Sequence, residues 1–186
     1  MDVNDSMNPF PEGTKITSLR IIQLLPKTTP LAHNPAIGFG SQKSARAVLG
    51  TVPIEEDGSA LFELPVNIPV YFQAIDENGM AVQTMRSTTY VHHGDHLASQ
   101  GCHERRHSTP VSAIKKRPAA MMRRPSEIAA ESDGSKPFSY PRLVQPILNE
   151  HCVGCHAKEP KAMDLSRGNV HKHFYASYEN LRPYAF

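Results

Sequence analysis

The sequence predicts a mainly β protein, a small antiparallel β-sandwich or barrel-like domain, followed by a linker and a short α-helical segment. Three observations predict it. Short runs rich in β-branched and aromatic residues recur between residues 15 and 91, tight-turn dipeptides separate them, and periodicity disappears after residue 104. The 186 residues leave room for one ordinary domain or two small ones. Gly 11, Pro 16 and the absence of Trp favour a loop-rich chain with a modest core.

The elements follow in order. Ile16 to Leu25 is aliphatic and stops at Pro26, and Ala45 to Ile54 is a second apolar stretch. Asp57-Gly58 then supplies a tight turn, after which Ser59 to Leu64 is expected to form a strand. Val70 to Asp76 and Met80 to Met85 flank Asn78-Gly79, the strongest hairpin signal in the chain. Closely spaced short strands of this kind bury one face and need a second layer over it.

Composition divides the chain into a β domain over 9–104, a basic flexible linker over 105–136 and a short helical segment over 137–186. Arg105, Arg106, Lys115, Lys116, Arg117, Arg123 and Arg124 lie in the linker with no acidic residue between the first and the last, and like-charge blocks of this kind favour a solvated, mobile stretch. Met121 and Met122 have no periodic partners there. In the last segment Pro146 is placed to start a helix that runs into Cys152, with Ile147, Leu148 and His151 on one face. Only 170–181 looks ordered beyond it, and the chain is expected to be a fragment.

Several function classes are excluded or disfavoured at this level. A net charge of +2 is too small to argue for nucleic acid. No run of about 18 apolar residues spans a membrane. The acidic, polar Met1-Asp2-Val3-Asn4-Asp5 is unlike a secretion signal. No Ser-His-Asp arrangement or phosphate-cradling loop stands out, so catalytic residues are unassigned and no independent enzymatic activity is expected. Three cysteines, Cys102, Cys152 and Cys155, match no disulfide framework.

Cys152-Val153-Gly154-Cys155-His156 is the attachment pattern for c-type haem. Two thiols three residues apart at a helix start can reach the two vinyl groups of one porphyrin, and the next imidazole is an axial nitrogen ligand for its iron. With 3 Cys and 10 His in the chain, chance would produce the pentapeptide in about 0.25% of such sequences. The alternatives are a redox dithiol and a zinc module in which Cys152 and Cys155 recruit histidines such as His103 or His171. For the second axial position Met163, His171 and His173 are within reach, and that position stays open.

A second, altered motif lies at Ser99-Gln100-Gly101-Cys102-His103. Serine cannot form the thioether, so a haem here would be held by Cys102 alone with His103 as a metal ligand. His92, His93, His96, His103 and His107 place five of the ten histidines within 16 residues. His107, four residues after His103, would share a helical face with it. Single-thioether haem, an empty decayed site and a Cys/His zinc or copper site all fit this segment.

Two long stretches resemble a known family. Residues 56–65 and 69–87, which include Asp57-Gly58-Ser59-Ala60-Leu61-Phe62 and Tyr71-Phe72-Gln73-Ala74-Ile75-Asp76-Glu77-Asn78-Gly79, resemble the middle domain of hydrazine synthase alpha-subunit-like proteins. Pro137-Phe138-Ser139-Tyr140-Pro141-Arg142-Leu143-Val144-Gln145-Pro146-Ile147-Leu148 resembles the cytochrome c segment that follows in the same proteins, and the resemblance extends from about Pro9 to the end. It implies a mostly β middle domain with a haem motif after its last strand, mapping onto Ser99, Cys102 and His103. A second haem motif maps intact onto Cys152, Cys155 and His156. The family's propeller is not in this chain, and hydrazine formation is not carried over. The resulting expectation is a haem c electron-transfer or redox module of a larger multihaem polypeptide or complex. Its parent would be exported to the periplasm or another compartment outside the cytoplasm, where haem c matures, and its electron partner is unknown. The other readings are a Cys/His zinc-binding module and an inactive gene fragment.

Overall fold

The computed structural model describes residues 3–4, 9–31, 34, 36–38, 44–99, 101, 117–131, 136–168 and 174–184. The chain divides into a unit over 1–137 and a unit over 138–186. None of the described helices is long and apolar enough to cross a membrane.

The first unit is built on one antiparallel sheet of four strands: β1 (Ile16–Leu24), β2 (Arg46–Pro53), β3 (Val70–Asp76) and β4 (Ala81–Thr84), in the order β2-β1-β3-β4. β1 is the longest and pairs on both sides, so its alternation sets both faces. Leu19 lies between Val52 and Ala74, and Ile21 between Gly50 and Phe72. These residues share one face with a core that includes Val3, Ile16 and Val70, against which Phe10, Phe62 and Ile128 pack. Burying one such aliphatic side chain contributes roughly 1.5–3 kcal/mol. Ile22 and Tyr71, paired across β1 and β3, are buried on the opposite face, and the Arg46 guanidinium sits over the Tyr71 ring at 5.6 Å.

The β3–β4 hairpin forms where the sequence places it. Gly79 has φ of 78°, and the Asp76 carboxylate accepts from the backbone N–H of Asn78 at 2.9 Å and of Met80 at 2.8 Å. The sandwich or barrel expectation is corrected: among the described residues there is a single sheet, and its core face is covered by irregular chain. The Asp57-Gly58 turn forms, but 59–64 is not a strand of this sheet and makes only an isolated bridge from Phe62 to Ser126. β2 ends at Pro53, and the outer edge of β2 is taken at Thr51 by Ala129, through N–H to carbonyl bonds of 2.9 Å in both directions.

Residues 117–131, read from sequence as part of a flexible linker, instead pack on the β unit. Asp57 accepts from the Ala119 N–H at 2.7 Å and from the backbone and hydroxyl of Ser59, whose hydroxyl oxygen in turn accepts from Ala120 N–H at 3.0 Å. These bonds hold a short 3₁₀ turn, Ala119–Met122, with Ala120 buried. Arg123 pairs with Glu55 at 2.6 Å and Arg20 with Glu131 at 2.8 Å. Both pairs are partly exposed and contribute at most about 1 kcal/mol each. The basic residues are thus partnered in part, and apolar Ala120 and Ile128 supply the burial that a mobile linker lacks. Residues 105–116 and 132–135 lie outside the described residues.

Gly50 permits this packing. Its φ is 145°, it sits where the register between β1 and β2 shifts, and a Cβ there would run into the Ala129 carbonyl. Gly50→Ala is expected to cost about 1–3 kcal/mol in urea unfolding, because neither backbone can give way. A second expectation concerns acid. The Ser59 hydroxyl, then the Ala119 N–H, hold the Asp57 carboxyl below its ordinary value. Its contribution is therefore present above the unfolded carboxylate pKa and is lost as pH falls through the lower folded value. Asp57→Asn should be less stable than the parent at pH 7 and should lose less stability between pH 5 and 3, measured by denaturant titration.

Candidate functional site

The second unit opens with a wide π-type turn, Tyr140–Val144, that feeds α1 (Gln145–His151). Pro146 lies in the first turn of α1, where its missing N–H leaves no bond unmade. α1 breaks at Cys152, whose backbone leaves helical geometry, and α2 (Val153–His156) restarts at once. The N–H groups of Cys155 and His156 both return to the Cys152 carbonyl, at 3.2 and 3.1 Å, so the two cysteines sit one turn apart. Both are free thiols; Cys155 is exposed and Cys152 half-buried. A Cβ at Gly154 would meet nothing within 4 Å, so the turn is open to solvent at that residue.

The imidazole of His156 is oriented. Its Nδ1 lies 2.8 Å from the Met163 carbonyl oxygen. A carbonyl can only accept, so Nδ1 carries the hydrogen, and in the neutral ring Nε2 is left with a free lone pair. That is the tautomer a metal ligand needs. The bond engages the main-chain oxygen of Met163. The second axial position stays open. His171 and His173 lie outside the described residues.

The loop that supplies this carbonyl is pinned by α3 (Ala176–Leu181) and α1. Gln145 is 3% exposed; its Nε2 donates to the Leu165 carbonyl at 3.1 Å and to Asn149 Oδ1 at 2.8 Å, and its Oε1 accepts from the hydroxyl of Ser177, which is 0% exposed. Asn180 Nδ2 donates to the Asp164 carbonyl at 2.9 Å, and Ser177 N–H to the Ser166 carbonyl at 3.2 Å. The Ser166 hydroxyl and N–H hold the Asp164 carboxyl below its ordinary range. Phe174 and Tyr140 flank Tyr178, stacked and edge-on at 5.0 Å. Sequence reasoning missed this support. Its only sequence signal is Gln145 itself, an amide set in the run Leu143-Val144-Gln145-Pro146-Ile147-Leu148.

The altered motif is only partly visible. Ser99 is exposed and Gly101 has φ of 65°, whereas Cys102, His103 and His107 lie outside the described residues. His92 caps its own turn, with Nδ1 3.0 Å from Asp95 and its N–H 2.9 Å from the same oxygen, which lowers the Asp95 pKa. His93 and His96 are exposed. Among the described residues no three His, Cys, Asp or Glu side chains come together as a metal-binding group.

Residues 14–104, the sheet and the chain following it, match the family model of the hydrazine synthase alpha subunit middle domain. Over that stretch the chain is similar to that domain. A solved structure, Kuenenia stuttgartiensis hydrazine synthase, matches 97% of the chain with a TM-score of 0.63 at 20% identity, which shows a shared fold. The chain spans about a third of that protein's chain, 32% of its length. No curated protein matches it.

The Gln145–Ser177 contact is the buried polar centre of this unit. Ser177→Ala leaves the Gln145 carbonyl oxygen without its hydroxyl partner and is expected to cost about 1–3 kcal/mol, measured as a lower midpoint for the 138–186 unit by hydrogen exchange on the full chain.

Proposed function

We propose that the chain carries one covalently bound haem c, held by Cys152 and Cys155 with His156 as axial ligand, and that it serves as an electron-transfer module of a larger redox polypeptide. The observation that carries this reading is the Nδ1 bond from His156 to the Met163 carbonyl, which leaves Nε2 free for iron in a ring already oriented. The donor set fits the group: two free thiols one turn apart and an adjacent imidazole. Ile147, 57% exposed on α1, offers apolar surface near the attachment turn.

The haem supplies a one-electron couple at the iron. The chain's own residues do the rest: the thiols fix the cofactor against loss from a unit too small to enclose it, His156 Nε2 donates to the metal, and the Met163 carbonyl keeps the ring from turning. The family match and the shared fold support membership of a larger assembly. Because thioether formation takes place outside the cytoplasm, the reading includes an exported parent protein. A second haem at Cys102 and His103 is not part of it.

The test is expression of the full chain with an export signal in a strain that matures haem c. One haem should persist in a denaturing gel, and the pyridine spectrum should be that of two thioethers; Cys152→Ala with Cys155→Ala should abolish attachment. A parent mass equal to the bare polypeptide overturns the proposal, and a second haem would assign one to Cys102.

A further inference from the structure

Three consecutive carbonyls of the 163–165 loop each receive a hydrogen bond from a side chain of a different helix. Met163 accepts from His156 on α2, Asp164 from Asn180 on α3, and Leu165 from Gln145 on α1. The last donor is fixed in turn by the fully buried Ser177 on α3. A free loop would let the Met163 carbonyl swing, and the His156 ring could then turn or exchange its proton between nitrogens. With its two following carbonyls tied to α1 and α3, the loop presents the Met163 oxygen at one place.

We infer that Asn180, Gln145 and Ser177 are positioning residues for the axial imidazole: they aim the Met163 carbonyl at His156 Nδ1 and so set the electron donation of Nε2. This rests on the haem reading for its redox consequence, though not for its geometry. A strong Nδ1–H bond to a carbonyl raises the basicity of Nε2 and favours the ferric over the ferrous ion, so loosening the loop raises the reduction potential. Asn180 is the cleanest handle, because it is exposed and its removal opens no cavity.

The experiment uses the full chain and the variants Asn180→Ala and Asn180→Asp; the latter keeps the shape but lacks the donor. In haem-loaded protein both variants should keep one haem per chain while the ferric preference falls about tenfold, a rise of 59 mV for a one-electron couple. Ser177→Ala should shift the potential in the same direction, and if it fails to fold the Asn180 pair still decides. In parallel, ¹⁵N NMR of the haem-free chain with Cys152→Ala and Cys155→Ala should show His156 protonated at Nδ1, and a mixture of tautomers once Asn180 is replaced. Should the parent take up no haem, the haem reading falls and the NMR arm alone judges the positioning role. Potentials equal to the parent's in loaded variants, or a His156 tautomer unmoved by Asn180→Asp in haem-free protein, overturn the inference.

Discussion

Much of this chain lies outside regular strands and helices, and every backbone N–H and C=O there must still find a partner if it is removed from water. That requirement shapes both units. In the β unit Asp57, Ser59 and Asp76 use side-chain oxygens to hold turns and to capture the 3₁₀ turn at 119–122. In the second unit the roles reverse: amide and imidazole N–H groups of Gln145, Asn180 and His156 satisfy carbonyls of a loop. A small core with little sheet and few helical turns acquires a defined geometry by this means. The imidazole's orientation follows from the need to satisfy a peptide oxygen.

What could be read from the sequence was local. β3, β4 and the turn between them follow from alternating apolar residues around Asn78-Gly79, and the start of α1 follows from Pro146. Residues 59–64 have the composition of a strand, yet composition cannot say which sheet edge is vacant, and Ala129 holds the edge of β2 at Thr51. Residues 117–131 read as linker because strand and helix periodicity is lost there; their bonds to Asp57, Glu55, Thr51 and Arg20 join positions about 60 to 110 residues apart along the chain. No local pattern encodes such pairings.

The site divides in the same way. Cys152, Cys155 and His156 form a contiguous motif visible by inspection, and the structure adds that Cys152 sits at the break between two helices and the other two lie on the second. The Met163 carbonyl could not be read from sequence, because every residue carries one and only the fold chooses which is used. Spacing left the Met163 sulfur as one of three possible second ligands, and the structure shows its main-chain oxygen bonded to His156. The family match covers the sheet rather than the pentapeptide.

The antiparallel contact between Thr51 and Ala129 has a practical consequence for anyone dissecting this protein. A piece cut at residue 104, where composition would end the domain, discards the strip that shields β2 and bares unpaired peptide groups beside Gly50. Such a rim is an invitation for a second molecule to add its own strand. Self-association of that piece would then report the missing strip rather than any oligomeric habit of the intact polypeptide.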